Sequence, residues 1–469
     1  MPSDVESMTL PGTSVLRNLG ILLAVVTLSA FLQFHRLSDW PWDHDEVYAL
    51  AELGLRQSPV ENVPEDQLTR MPRLLPAWAA AQGAFLRVLP HDEWGTRVLP
   101  ALCGTLGVVV AFLLGWRARG LPFALGLVLL LDGSQFLVWM GQYNRFYTFA
   151  MLFLVLALGA IWARSSSPLF AVLVALMTAL AVLSHNLLVV LFGLGFLAAA
   201  AGFLLGWVPR PVLIRSGIAA AVSTLLYVAY LRPIMQGWVS GNTGGTSVLV
   251  SFVAQAGVPT FGLAAFGTVA AVLAPAARKA LGWWVLLLGG CFLFMACSPL
   301  YLPAWNPRYA FLFMPPVWVM GAYAVEYVSS RMPSRVLAVS VYGVIALVLL
   351  PKLASHYQDG SRHDFRQAAA IVKESAAGGE MVFCNWPETL EYYLPSSTGL
   401  TVRSWGRAKP YPADAFFIVN SSNAWEPPIR VPGRSVELVA QVHKRRFDEQ
   451  SHFVSVYRVA AASPHMSQP

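Results

Sequence analysis

Long apolar runs follow one another from Val15 to Leu353, broken only by short polar turns. The first, Leu19 to Phe34 extended back by Val15 and Leu16, carries no charge after Arg17. Later runs are Trp94–Trp116, Leu121–Met140, Tyr147–Ala163, Pro168–Ser184, Leu187–Gly206, Ser216–Ile234, Phe261–Ala277, Leu281–Ser298, Arg308–Val328 and Val336–Leu353. Each approaches the roughly 20 residues a helix needs to cross about 30 Å of hydrocarbon. The pattern predicts an α-helical polytopic membrane protein of about 11 transmembrane helices over residues 1–354. The run Leu74 to Leu89 is shorter and interrupted by Gln82, Gly83 and Arg87, and is expected to be interfacial or re-entrant rather than spanning.

The pattern then changes. Phe365 to Lys373 reads as an amphipathic helix, ended by Gly378-Gly379. Met381–Cys384, Ala415–Val419, Val436–Val442 and Phe453–Val459 read as strands. Residues 355–469 are therefore expected to form a small soluble α/β domain.

Composition agrees: 56% of residues are hydrophobic and 12% charged, which excludes one ordinary soluble domain. The net charge of +7 does not point to nucleic acid, because the basic residues sit at helix ends and in short loops. Placing Arg117 to Arg119, Arg164, Arg210 to Arg215, Arg278-Lys279 and Arg331 to Arg335 in the cytoplasm makes the runs alternate without conflict. The N-terminus is then inside, and the loop 35–73 and the C-terminal domain are outside. The expected location is a membrane with this outer face exposed, a bacterial inner membrane with a periplasmic face. A weak cleavage signal near Ala30 would make the first run a signal peptide without moving Asp45 to another side. The four cysteines show no metal-ligand spacing.

Polar residues suited to chemistry gather on the outer side. Asp43, Asp45 and Glu46 follow the first helix, where a carboxylate can act as a general base toward a hydroxyl or amine; the plainer reading is a helix cap. Arg145 and Tyr147 close the turn Gln142-Tyr-Asn-Arg, and Arg308 and Tyr309 open a later helix, so that two guanidiniums could grip a phosphate or merely snorkel to the interface. His185 and Asn186 sit between two apolar runs, where hydrogen bonding at a helix end is the bland alternative. Asp132, inside a predicted span, costs about 2.5–3.5 kcal/mol there and is expected to pair with something or face a cavity, a structural pair with an arginine and a catalytic role standing as equal alternatives. Arg70 and Arg73 could join the same basic lining.

In order along the chain, these segments resemble motifs of the GT-C superfamily of polytopic glycosyltransferases. The closest likeness is to the branch with protein O-mannosyltransferases and lipid A aminoarabinose transferases. Asp45-Glu46-Val47-Tyr48 resembles that branch's Asp-Glu motif on the first external loop. Gln142-Tyr-Asn-Arg145-Phe-Tyr147 is similar to its Gln-Glu-Ala-Arg-Met-Tyr, and Ser184-His185-Asn186 to its Thr-His-Tyr junction. Pro307-Arg308-Tyr309 resembles its Arg-Tyr-Leu, and His363-Asp364-Phe365-Arg366 the opening of its external tail. Arg70-Met71-Pro72-Arg73 departs from the family's His-Pro-Pro or Lys-Pro-Pro pattern.

The resemblance implies transfer of a sugar from a polyprenyl-phosphate donor lipid to a glycan, lipid or protein acceptor, with inversion. It implies Asp45 as the catalytic base and Arg145, His185 and Arg308 around the donor phosphate; Glu46 beside the base, and Arg73 and Tyr147 beside the phosphate, are further candidates by their place on the outer side. It implies no cofactor and no metal, although the Asp43-x-Asp45 spacing keeps a divalent ion open. The rival readings are a transporter or flippase, which predicts symmetric halves that are not found, and a membrane scaffold, which leaves the sorted polar face unexplained. Neither the sugar, the acceptor nor the oligomeric state is encoded legibly.

Overall fold

The computed structural model describes residues 12–54, 75–163, 167–232, 248–298, 307–359, 362–405, 411–422, 426, 429–445 and 451–461. Helices occupy each predicted apolar run. Among the described residues, five are long and apolar enough to cross a membrane, or six if a bent pair counts as one span. Tyr147–Trp162, Pro168–Val182, Leu188–Leu204 and Val258–Leu273 are shorter apolar helices. The helix Pro76–Phe85 rises only about 15 Å over its ten residues, too short to span, as its interrupted sequence suggests.

Three boundaries differ from the sequence pattern, each for a local reason. The predicted span Leu121–Met140 is two helices, Leu121–Asp132 and Gln135–Gly141, bent by 66°. Ser134 caps the second by accepting from the Leu137 amide at 3.3 Å. A side chain at Gly133 would meet the Leu129 carbonyl and Leu349 at 2.6 Å, so the bend is also tightly packed. Pro275 starts the helix Pro275–Cys297 at a position that needs no amide hydrogen, so Arg278 and Lys279 lie within its first turns rather than between helices. Likewise Pro315-Pro316 open the helix Pro315–Ser329, and Arg308 falls on a preceding 3-10 segment, Pro307–Phe313.

The helices share one apolar core, from Val25 on the first to Leu349 on the last. Their crossings are close where glycine permits it: a Cβ on Gly267 would lie 2.0 Å from the Met320 carbonyl oxygen. Outward faces remain apolar. Only 6% of the spanning window of Arg335–Gln358 is buried, and Val336, Val339 and Leu347 are exposed, a surface that hydrocarbon rather than water would cover.

Residues after the last long helix form a five-stranded sheet in the order β2-β1-β3-β5-β4, from β1 Met381–Cys384, β2 Thr401–Ser404, β3 Phe416–Ser422, β4 Val436–Arg445 and β5 Ser451–Val459. β1 is parallel to β2 and β3, while β5 runs antiparallel to β3 and β4. The amphipathic helix Phe365–Ser375, capped by Asp364 at the Gln367 amide, packs Phe365, Ala368, Ala369 and Val372 against the sheet. The four predicted strands are present. β2 and the helix Pro387–Tyr393 are additions; β2 buries only Val402 of its four residues, so it lacks the apolar run that marks β1.

Candidate active site

The acidic cluster opens the helix His44–Glu52. Asp43 accepts from the Asp45 amide at 3.2 Å, and Glu46 reaches back to accept from the Asp43 amide at 3.1 Å. This reciprocal arrangement is a capping box, so the capping reading holds for Asp43 and Glu46. It leaves Asp45 to point elsewhere.

Asp45 meets two arginines. Arg145 Nη2 lies 3.0 Å from its Oδ1, and Arg308 Nη1 donates to its Oδ2 at 2.8 Å. The Tyr143 hydroxyl donates to the same oxygen at 3.2 Å and accepts from Arg308 at 2.7 Å. Arg308 also lies over the rings of Trp139 and Tyr143, and its Nη2 stands 3.7 Å from Asp43. The side chains of Arg145 and Arg308 are 9% and 10% exposed and that of Asp45 is 22%, so the aspartate is the open edge of the group.

Glu46 is enclosed instead. Arg97 forks onto it with two bonds of 2.8 Å, Arg362 adds a third at 2.8 Å, and the Asn144 amide a fourth at 2.8 Å. Burial by itself would push this carboxyl up, but Arg362 and Arg97 outweigh it and hold Glu46 below its ordinary value. Arg97 also donates to the carbonyls of Leu37, Trp40 and Pro41, tying the incoming chain to the helix Glu93–Arg119.

The turn carrying Arg145 is equally fixed. Gln142 accepts from the Trp40 indole at 2.8 Å and donates to carbonyls of Leu32, Gln33 and His35, while Asn144 accepts from Gln82 at 2.8 Å. Two arginines can share one carboxylate here because neither turn nor loop is free to relax away from the other.

His185 is buried beside this group, its ring against Phe146 at 5.0 Å, Tyr309 at 5.2 Å and Tyr147 at 5.9 Å. Its Nδ1 accepts from the Leu187 amide at 3.3 Å, and its Nε2 has no hydrogen-bond partner among the described residues. Burial pushes its pKa down to about 3, so the imidazole is neutral. Tyr147 and Tyr309 thus form an aromatic layer joining His185 to the arginines, and Asn186 follows at the helix junction.

Asp132 does not join the group. It pairs with Ser29 instead, accepting from its hydroxyl at 2.7 Å, because the helix break places it against the first helix. Arg70 and Arg73 lie outside the described residues. Sequence reading passed over Arg97, Arg362 and Tyr143. A signal existed for Arg97, an ionisable residue inside a predicted span; Arg362 and Tyr143 had none that set them apart from a tail arginine and a belt tyrosine.

Among the described residues no three His, Cys, Asp or Glu side chains group to hold a metal ion. Asp43 and Asp45 both face Arg308, at 3.7 and 2.8 Å. What the group offers is one partly open carboxylate flanked by two fixed cations, beside a neutral imidazole.

No protein-family model and no curated protein matches the sequence. Solved structures match in fold. ArnT from Cupriavidus metallidurans in its apo state aligns over 94% of this chain and 98% of that one, with a TM-score of 0.57 and 12% identity. The same protein bound to undecaprenyl phosphate aligns over the same shares, at 0.51 and 13% identity. The Archaeoglobus fulgidus oligosaccharyltransferase in its apo form aligns over 83% of this chain and 65% of that one, at 0.51 and 14% identity. The arrangement of helices followed by a C-terminal sheet is therefore the fold of ArnT, and over most of the chain that of the oligosaccharyltransferase.

Proposed function

We propose that this chain is a membrane glycosyltransferase that moves a sugar from a polyprenyl-phosphate-linked donor to an acceptor on the outer side of a bacterial inner membrane. One observation carries the reading: Asp45, the most exposed acid of its cluster, stands between Arg145 at 3.0 Å and Arg308 at 2.8 Å. In this reading Asp45 takes the proton of an acceptor hydroxyl or amine as that atom attacks the anomeric carbon. The bond between that carbon and the phosphate oxygen breaks with inversion, and the lipid phosphate leaves with the electron pair. Arg145 and Arg308 meet the charge that develops on the phosphate, which preorganised donors can do without reorganising. His185, Tyr147 and Tyr309 are placed to line the donor side, with the unpartnered Nε2 of His185 available to it. Glu46 positions the loop rather than reacting, since its carboxylate is buried and taken up by Arg97, Arg362 and the amides of Asn144 and Asp43.

The ArnT fold and its complex with undecaprenyl phosphate support a lipid-phosphate donor. The basic helix ends Arg117 to Arg119, Arg210 to Arg215 and Arg331 to Arg335 support a cytoplasmic face opposite the site, with the shorter apolar helices also crossing to give about eleven spans. Arg119 pairs with Glu326 at 2.7 Å, which brings two of those ends together. The test is mass spectrometry of the lipid, glycan and protein fractions of membranes carrying the wild type or Asp45→Asn. A sugar lost from one fraction in the variant supports the reading and identifies the acceptor. Identical fractions would overturn it.

A further inference from the structure

Arg362 stands 316 positions from Glu46 and donates to it at 2.8 Å. Its other terminal nitrogen donates to the Gln142 carbonyl, and its guanidinium lies 5.2 Å from the Tyr143 ring centre. The side chain is 1% exposed, at the point where the last long helix gives way to the C-terminal unit. More contacts run from that unit to the same loop. The Tyr393 hydroxyl accepts from the Trp42 amide at 2.7 Å and donates to Glu93 at 3.0 Å. Arg366 reaches Glu93 at 2.8 Å. Tyr392 stacks on Trp42 at 4.7 Å, and Trp42, Val47, Leu50 and Leu86 form an apolar cluster that Tyr392 and Tyr393 close.

The loop is thus gripped on both sides of Asp45: at Trp42 by the C-terminal unit, and at Glu46 by Arg97 from the membrane helices together with Arg362. The backbone that carries Asp45 is therefore held from both sides, by the residue three before it and the residue one after it. We propose that Arg362, aided by the Trp42–Tyr393 contact, is a positioning residue for Asp45, so that the C-terminal unit is a working part of the transfer site and not an appended module. This inference rests on Asp45 being the base. Its physical basis is the steep cost of misplacement: a shift of about 1 Å at the reacting atoms can cost about 10²-fold in rate.

The groups facing Glu46 are Arg97 from the helix Glu93–Arg119, Arg362 from the C-terminal junction, and Asp43 on its own loop. Replacing Arg362 by Gln in the full chain removes one of two cations. Product formed per folded protein is then expected to fall by about 10²-fold, while undecaprenyl phosphate, used as the binding probe, binds as before because Arg145 and Arg308 are untouched. The acid limb of the pH–rate profile should move to higher pH, and adding Glu46→Gln should abolish that displacement. Arg362→Lys, which keeps charge without the fork, should restore part of the rate. Tyr393→Phe removes one hydroxyl and keeps the apolar seal, so it reports on the same contact where Arg362→Gln fails to fold. Wild-type rates in Tyr393→Phe and in folded Arg362→Gln would overturn the inference, as would a loss of undecaprenyl phosphate binding with the rate unchanged. If those variants are fully active while Asp45→Asn is dead, positioning fails and the base reading stands; an active Asp45→Asn removes both.

Discussion

Arg308 and Asp45 are 263 positions apart in the chain and 2.8 Å apart in space. The pair joins the first polar loop to the segment before Pro315, and Arg145 closes it from a third direction. In the proposed reaction a donor phosphate would compete with Asp45 for both guanidiniums. Binding would then loosen the aspartate from its partners as the acceptor arrives.

Asp45→Asn keeps the shape of the side chain and removes its ability to take a proton. Turnover should fall by about 10²- to 10⁴-fold, the range for loss of a general base. Undecaprenyl phosphate should bind at least as tightly, since one competitor for Arg145 and Arg308 is weakened. Product mass spectrometry and equilibrium lipid binding check the two halves separately.

Arg308→Lys tests the fork. Lysine offers a point charge and cannot reach Asp45, Tyr143 and a phosphate in one plane. A hydrogen bond to a charged group contributes about 1.5–3 kcal/mol, so lipid-phosphate binding should weaken roughly tenfold or more. Arg145→Lys should act in the same direction. The double variant should fall short of the product of the two effects, because both arginines share one carboxylate.

Acid should weaken the loop through Glu46. Its folded-state pKa is lowered from 4.5, burial being outweighed by Arg362 and Arg97. The unfolded chain therefore takes up the proton first. The contribution to stability is complete above about pH 4.5 and is lost as the pH falls through the lower folded value. Glu46→Gln should remove that acid dependence and cost about 3–5 kcal/mol at neutral pH, since it strands two buried arginines. Thermal unfolding in detergent across the acid range measures both.

Gly267→Ala puts a methyl group 2.0 Å from the Met320 carbonyl oxygen, a backbone atom that cannot swing aside. Separating the two helices should cost about 1–3 kcal/mol. Gly289→Ala, with nothing within 4 Å, is the matched control and should be neutral or slightly stabilising. Unfolding midpoints of the two variants in the same detergent decide it.

Much of this was legible in the chain itself. Apolar runs became helices because a helix satisfies its own backbone, so hydrophobic length alone is sufficient information. Asp45, Arg145 and Arg308 could be nominated because the positive-inside assignment sorts them to one side, opposite the plain basic loops. Apolar runs marked β1 and β3 and alternation marked β4 and β5, while β2, as short as β1, offers one buried apolar residue, Val402, and so left no signal. Local chemistry at Gly133-Ser134, Pro275 and Pro315 moved boundaries that hydrophobicity alone had drawn too long.

What tertiary structure decided was pairing. Nothing in the sequence says that Glu46 belongs to Arg97 and Arg362 while Asp45 belongs to Arg145 and Arg308, or that Asp132 settles on Ser29. Periodicity encodes which face of an element is buried, a property of neighbours in sequence. Which charge meets which depends on how whole helices cross, and that is set by close approaches such as Gly267 on Met320, summed over the entire core.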